Sequence, residues 1–286
     1  MKPALNKEEQ RRKAERLREL HHGARMLVLP NAWDAASAKV FERAGFKAVA
    51  TTSAGVANAW GYPDGEVMSR AEMLQAAGII ARATRLPVSA DMEAGFGVTP
   101  EEIAETARLT LESGAVGINL EDSLVGKPAL REVPLQVEIL KAVRQTADAF
   151  GVPLVVNARV DVYSVLDESD PTRFAQAVGR AHAYLEAGAD CIFAFGITDK
   201  ALIGDLVREI GAPVNVLARP GSPTLAELEG LGVARVTFGS IPMRVALSQA
   251  VKIADELKRT GTYNFAQGIL SYDEVNGYFE RMEGDK

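Results

Sequence analysis

The sequence has few of the residues that build redox, zinc or nucleophilic sites. Among its 286 residues there are one cysteine, Cys191, and three histidines. A single cysteine excludes an internal disulfide framework and is typical of a reducing compartment. His21 and His22 lie in a charged N-terminal segment, and His182 lies within a predicted helix. None of them follows a predicted strand, so we do not expect histidine as a general base, a phosphate acceptor or a zinc ligand.

Long apolar runs and excess positive charge are also lacking. No stretch approaches the length of a membrane span. The first 22 residues are charged and contain no apolar core, which argues against a signal peptide or a transit sequence. The net charge of -6 and the isoelectric point near 5.3 argue against a nucleic-acid surface or an anionic membrane as a partner. These absences predict a soluble cytoplasmic protein.

Three common catalytic or nucleotide-binding motifs are missing as well. The sequence contains no G-x-S-x-G nucleophile elbow and no P-loop. No G-x-G-x-x-G opens a helix after an early strand, which disfavours a doubly wound dinucleotide-binding sheet.

What the sequence does contain is one unit, a short β-rich run followed by an amphipathic helical stretch, repeated along its length. Strands that alternate with helices pair in parallel, and eight such units favour an α/β fold of the (β/α)₈ TIM-barrel type over an open sheet. We therefore predict an N-terminal helical segment over residues 1–24, a barrel over 25–259 and a C-terminal helical extension over 260–286. The runs are 26–30, 48–53, 88–93, 116–121, 154–160, 191–195, 214–218 and 236–239.

The C-terminal extension has an apolar helical face of its own. After Tyr272, this face comprises Val275, Tyr278, Phe279 and Met282. A helix beyond a closed barrel must pack either on its own barrel or on that of a neighbouring subunit, and the pattern alone leaves both possibilities open.

Acidic residues end three of the predicted strands. Asp91 and Glu93 follow one of them, the pair Glu121–Asp122 follows the next, and Asp161 follows a third. Carboxylates at the ends of buried strands need a compensating charge, which an arginine or a hard metal ion can supply. Oxygen ligands of this kind select Mg²⁺ or Mn²⁺. The alternative is that a single acid caps the next helix or pairs with an arginine.

The segment Asp91–Gly97, with the sequence DMEAGFG, resembles the D-x-D-x-G-F-G motif of the isocitrate lyase/phosphoenolpyruvate mutase superfamily. Further landmarks follow in the same order from about residue 26 to residue 243; they are Pro30–Asp34, Thr52–Gly55, Pro63–Asp64, Asn119–Asp122 and Asn157–Asp161. The resemblance implies a (β/α)₈ barrel with a C-terminal helix exchanged between subunits in a dimer of dimers. It also implies Mg²⁺ or Mn²⁺ and a small 2-oxo acid, or a phosphonate, as substrate.

The resemblance makes Asp91 the principal metal ligand and places Asp64 beside the metal, acting through water. It makes Arg159 the residue that neutralises the developing enolate oxygen. To these we add Lys127, on a loop over the site, and Arg219, which could hold a second carboxylate or a phosphonate. The complete prediction comprises metal ligands Asp91, Glu93 and Glu121, catalytic residues Arg159, Asp64 and Lys127, and substrate-binding residues Trp33, Ser53, Ala54, Gly55, Asn119, Arg159 and Arg219.

The chain departs from the superfamily pattern after Glu121–Asp122. The loop 123–131 lacks the cysteine and histidine of the isocitrate and methylisocitrate lyases, and Phe195 stands where those lyases have glutamate. We therefore expect a metal-dependent lyase or decarboxylase that cleaves a C–C bond of a 2-oxo or 2-hydroxy acid through an enolate. The alternatives are a mutase or hydrolase that cleaves a P–C bond, and a non-catalytic barrel that binds an oxo acid.

Overall fold

A closed parallel barrel forms the centre of the molecule in the computed structural model, which describes residues 6–280. The first barrel strand consists of two short pieces, β1 and β2, on either side of Leu29–Pro30. β1 pairs with β9 and β2 pairs with β3, so the sheet closes on itself with every pairing parallel. The predicted barrel is confirmed. The strands are β1 Leu27–Val28, β2 Asn31–Ala32, β3 Val49–Thr51, β4 Val88–Asp91, β5 Gly117–Glu121, β6 Val155–Val160, β7 Cys191–Ala194, β8 Val214–Leu217 and β9 Arg235–Thr237.

Helices connect successive strands, and their ends follow local sequence signals. In α5, Thr99 caps the N-terminus through a hydrogen bond from the amide of Glu102, Pro100 begins the helix, and Gly114 ends it in a left-handed conformation. The helices are α1 Lys7–His21, α2 Ala35–Arg43, α3 Ser53–Ala59, α4 Arg70–Ala83, α5 Pro100–Ser113, α6 Val133–Phe150, α7 Val162–Val165, α8 Arg173–Glu186, α9 Lys200–Ile210, α10 Leu225–Gly230, α11 Ile241–Arg259 and α12 Tyr272–Gly277, with a 3₁₀ turn at Asn264–Ala266. No helix among residues 6–280 is long and apolar enough to cross a membrane.

The amino-terminal end of the barrel is covered by α1. The side chain of Gln10 donates hydrogen bonds to the carbonyl oxygens of Leu111 and Ala115, 2.6 and 3.3 Å away. A Cβ atom added to Gly117 would come within 2.8 Å of Leu17, so the first residue of β5 must be glycine for α1 to pack this closely. With this end closed, only the carboxyl ends of the strands remain for a site.

The last barrel helix, α11, packs very little on its own barrel. Within α11, only Met243 is buried. Its apolar side chains Val245, Leu247, Val251 and Leu257 are between 45 and 56% exposed. The predicted tail helix is shorter than expected, because α12 ends at Gly277; the predicted contact residue Met282 lies outside the described residues. The uncovered apolar surface at this end of the chain thus extends over α11, which the sequence pattern did not single out, as well as over the tail that follows it.

The buried imidazole of His21 makes stability dependent on pH. His21 donates from Nδ1 to the carbonyl oxygen of Leu17 at 2.7 Å and is 4% exposed. Burial, with a smaller contribution from Arg235, lowers the pKa of His21 to about 4. As the pH falls below 6.5, the ordinary pKa of histidine, His21 becomes protonated in the unfolded chain but stays neutral in the folded chain. The stability that His21 contributes is complete above that pH and is lost toward pH 4.

We predict that His21→Gln removes up to about 3 kcal/mol of the stability difference between pH 7 and pH 4. Urea unfolding at several pH values measures this difference for the wild type and the variant. His22→Gln is the matched control, because His22 is exposed on the adjacent position. Identical pH profiles for the wild type and His21→Gln would contradict the prediction.

Candidate active site

A cavity of about 140 Å³ opens at the carboxyl ends of the strands. It brings together six of the predicted site residues, namely Ser53, Ala54, Asp64, Asp91, Asn119 and Arg159. The strand ends place these residues on one face because all strands run parallel and terminate at the same rim of the barrel. The rest of the lining is largely polar or aromatic and includes Thr51, Ser89, Phe193, Phe195, Arg235 and Thr237.

Asp91, the last residue of β4, is held rigidly in this cavity. Its Oδ2 accepts a hydrogen bond from the amide of Ser53 at 2.9 Å, and its Oδ1 accepts one from the side chain of Asn119 at 2.8 Å. The amide of Asp91 donates to the hydroxyl of Thr51 at 2.8 Å. Each carboxylate oxygen retains a lone pair. Asp91 can therefore bind a cation without losing any of these contacts.

Glu93 lies on a loop that is joined by hydrogen bonds to the loop around Glu66. Glu66 donates its amide to Oε2 of Glu93 at 2.8 Å, and Oε1 of Glu66 accepts the amide of Phe96 at 2.9 Å. Glu66, Glu93 and Phe96 have φ angles of 55, 50 and 54°, in the left-handed region that residues other than glycine rarely adopt. Gly95 has the same sign of φ, and a Cβ there would lie 2.7 Å from Ile103. These contacts fix the loop that follows Asp91.

Among the described residues, neither Glu93, which is buried, nor Asp64, which is exposed, forms a direct ion pair with a cation. Burial, together with the charges of Asp91 and Asp64, raises the pKa of Glu93 to about 8. Burial and the charge of Asp91 also raise the pKa of Asp64, which lies at the mouth of the cavity. A cluster of carboxylates of this kind is suited to binding a divalent cation.

The donor set fits a hydrated hard cation better than a fully enclosed one. Among residues 6–280, no three His, Cys, Asp or Glu side chains lie close enough together to hold a metal ion directly. Of the predicted ligands only Asp91 lines the cavity. Mg²⁺ commonly binds through one or two carboxylates and keeps several water molecules, so a single direct ligand is compatible with it.

Arg159, on β6, faces the acidic wall from across the cavity. Its guanidinium binds Glu121 through Nη1 and Asp161 through Nη2, each at 2.7 Å. It also stacks on Phe195, with 3.6 Å between its Cζ atom and the ring centroid. Although burial alone would lower its pKa, Glu121 and Asp161 raise the pKa of Arg159 above its usual value. The guanidinium is therefore permanently charged and fixed in position.

Three strand-end acids, Glu121, Asp122 and Asp161, are paired with arginines. Asp122 is completely buried and accepts hydrogen bonds from Tyr184 at 2.7 Å and from Arg180 at 3.0 Å. Asp122 also accepts the amide of Asp161 at 2.9 Å, which ties the end of β5 to the end of β6. For these acids the alternative of pairing with an arginine is the one that the structure shows.

Several predicted site residues lie outside the cavity lining. Trp33 packs against Gly55, where an added Cβ would lie 3.1 Å from the Cβ of Trp33. Lys127 is exposed and lies in a separate hollow with Phe96, Leu124 and Arg131. Arg219 is also exposed, and its Nη2 atom donates a long hydrogen bond of 3.5 Å to the carbonyl oxygen of Gly196.

The sequence analysis missed Arg235, the first residue of β9, whose side chain lines the cavity. The signal that could have found it is the alternation along the strand, since Arg235 and Thr237 are two residues apart and face the same side. The predicted strand began at residue 236 and so left this arginine out.

Comparison with known proteins decides the family. The family model for phosphoenolpyruvate phosphomutase matches residues 17–258. The chain belongs to the phosphoenolpyruvate mutase/isocitrate lyase superfamily. The resemblance found in the sequence is thereby confirmed, and the chain is an enzyme of this superfamily; its relatives include lyases.

The superfamily relatives match this chain over most of its length. The 2,3-dimethylmalate lyase of Eubacterium barkeri is 31% identical and the match covers 92% of each chain. The crystal structure of a provisionally assigned lyase/mutase from Burkholderia cenocepacia has a TM-score of 0.88 and 38% identity, with 96% of this chain and 98% of that chain covered. Phosphonopyruvate hydrolase, solved with oxalate and Mg²⁺, is similar in fold, with a TM-score of 0.82, 24% identity and coverage of 93 and 94%.

We predict that Asp122→Ala lowers the free energy of unfolding by about 3–5 kcal/mol, because it leaves the Arg180 guanidinium largely buried without its carboxylate. Urea unfolding measures the loss. Asp205→Ala is the matched control, since Asp205 pairs with Arg208 on the exposed surface and its removal should cost less than about 1 kcal/mol. Equal losses in the two variants would show that Asp122 is not a structural acid.

Proposed function

We propose that this protein is a divalent-metal-dependent enzyme that cleaves a C–C bond of a small 2-oxo or 2-hydroxy acid through an enolate, by lyase or decarboxylase chemistry. The observation that carries the proposal is the arrangement of opposite charges across one cavity. The acids Asp91 and Asp64 line this cavity together with the fixed guanidinium of Arg159, and the buried acid Glu93 lies two residues beyond Asp91.

The metal proposed for this site is Mg²⁺ or Mn²⁺. Asp91 would bind it directly, and Glu93, Glu121 and Asp64 would contact it through water. When bound, the cation would polarise the 2-oxo group and offset negative charge on its oxygen. The relative solved with oxalate and Mg²⁺ supports this assignment by its fold.

The chain's own residues supply orientation and charge. Asn119 keeps the carboxylate of Asp91 turned toward the cavity, and Ser53 holds its other oxygen. Arg159 is charged before the reaction begins and cannot turn away, because Glu121, Asp161 and Phe195 hold it. A fixed positive charge beside the substrate oxygen stabilises the enolate more than the uncharged ketone, which lowers the barrier to bond cleavage. Asp64, with its raised pKa, is suited to transfer a proton at the cavity mouth.

We predict that oxalate, which resembles the enolate of a 2-oxo acid, binds this protein only with Mg²⁺ or Mn²⁺. Asp91→Asn should weaken that binding at least about a hundredfold, because the amide lacks the charge that holds the cation. Isothermal titration with and without metal measures both effects. Asp199→Asn, at the exposed N-terminus of α9, is the matched control. Metal-independent oxalate binding, or unchanged binding in Asp91→Asn, would refute the proposed site.

The same proposal extends to assembly, in which α11 packs against a neighbouring subunit within a homo-oligomer, a dimer of dimers. This proposal is supported by the exposed apolar side chains of α11, because an apolar surface of this kind is usually covered by a partner. The tail that follows is anchored on α11, where Glu256 accepts the amides of Asn264 and Phe265 at 2.6 and 3.1 Å. Reciprocal exchange of such a helix between two subunits covers both copies at once.

We predict that the double variant Leu247→Glu/Val251→Glu dissociates the oligomer, because it places charges on the face that the partner would cover. Analytical ultracentrifugation at micromolar concentration measures the assembly. Ser248→Glu is the matched control on the same helix and adds one charge to an exposed polar position. A wild-type chain that sediments as a monomer would contradict the exchange.

A further inference from the structure

Arg235 is a cation buried in the barrel without a partner. The residue is 2% exposed, and its side chain forms part of the cavity lining. Its Nε and Nη1 atoms are buried and make no hydrogen bond to any described residue. Burial lowers the pKa of Arg235 to about 10, while Cys191 and Asp91 raise it. The guanidinium therefore remains charged at neutral pH.

Other buried arginines of this protein have partners. Arg159 binds two carboxylates, and Arg131 donates to Gln136 at 2.6 Å and to the carbonyl oxygen of Ala94 at 3.2 Å. Leaving a buried guanidinium unpaired costs several kcal/mol, typically about 3–5 when a partner is removed. A buried guanidinium without a carboxylate or carbonyl partner is suited to bind an anionic ligand.

The surroundings of Arg235 offer further unused polar atoms. Asn215, its neighbour in register on β8, has a buried Nδ2 with no acceptor among the described residues. The hydroxyl of Ser89, which lines the same cavity, is also buried without a partner. Thr237 donates to Oδ1 of Asn215 at 3.3 Å, which leaves the amide group of Asn215 as a donor. Each of these groups carries a hydrogen-bond donor that no described residue uses.

We propose that Arg235 binds a second anionic group of the substrate, a carboxylate, within the barrel. The substrate is then a 2-oxo or 2-hydroxy dicarboxylic acid, with one end at Asp91 and the other at Arg235. This inference rests on the proposed function and deepens it. It assigns to Arg235 the part that the sequence analysis gave to Arg219, which is exposed outside the cavity.

The test compares two ligands of equal carbon number that differ only at the distal end. These are 3,3-difluorooxaloacetate, which ends in a carboxylate, and 3,3-difluoro-2-oxobutyrate, which ends in a methyl group. With saturating Mg²⁺, calorimetry should show that the wild type binds the dicarboxylate at least about tenfold more tightly. In Arg235→Met this preference should fall to within about twofold, while the affinity for the monocarboxylate is unchanged.

Two further variants and one further ligand complete the experiment. Arg235→Lys keeps a charge but loses the planar fork, so an intermediate preference is expected, and this variant serves if Arg235→Met does not fold. Arg219→Met should keep the full preference; if it removes the preference and Arg235→Met does not, the inference is overturned. Tighter binding of 3-phosphonopyruvate than of 3,3-difluorooxaloacetate would overturn the assignment of a carboxylate.

Oxalate distinguishes a failure of the proposed function from a failure of the role assigned to Arg235, because oxalate has no distal group that Arg235 could bind. If oxalate does not bind with Mg²⁺, the proposed function is wrong and the inference falls with it. If oxalate binds but the wild type shows no preference for the dicarboxylate, only the role of Arg235 is overturned. A preference that survives in Arg235→Met has the same consequence.

Discussion

Carboxylates that end buried strands must be neutralised, and the neutralising groups in this protein divide its strand-end acids into two sets. Glu121 and Asp161 share Arg159, and Asp122 binds Arg180. These pairs hold adjacent strand ends together. Asp91, Asp64 and Glu93 form no direct ion pair among the described residues, and burial, with the charges of Asp91 and Asp64, raises the pKa of Glu93 to about 8. The proposed metal ion would supply the positive charge that this second set of acids lacks.

The barrel could be predicted from the sequence because its signals are local. Alternating β-rich and amphipathic stretches, with proline at one helix start and glycine after several helix ends, are properties of neighbouring residues. The closure of the barrel through β1 and β9 then follows from the number of repeats. For α11 the sequence is less informative, since an amphipathic pattern predicts that an apolar face is covered but not which chain covers it.

The site could be predicted only in part, because charge pairing is a property of three-dimensional proximity. Asp122 and Arg180 are 58 residues apart, and nothing in the spacing indicates that they meet. Arg219 and Arg235 both lie next to predicted strands, so the sequence alone could not decide which of them faces the cavity. The structure distinguishes them by exposure, since the former is exposed and the latter is buried beside the cavity. The motif residues Asp91, Asn119 and Arg159 were found in advance because the superfamily pattern contains them.

Most directly, the central claim is tested by a crystal structure of the protein with Mn²⁺ and oxalate, in which the anomalous signal of manganese locates the cation. The account predicts a peak about 2 Å from a carboxylate oxygen of Asp91. It also predicts that an oxalate oxygen lies between that cation and the guanidinium of Arg159. A cation bound elsewhere, or oxalate bound away from Arg159 with no metal at Asp91, would contradict the account.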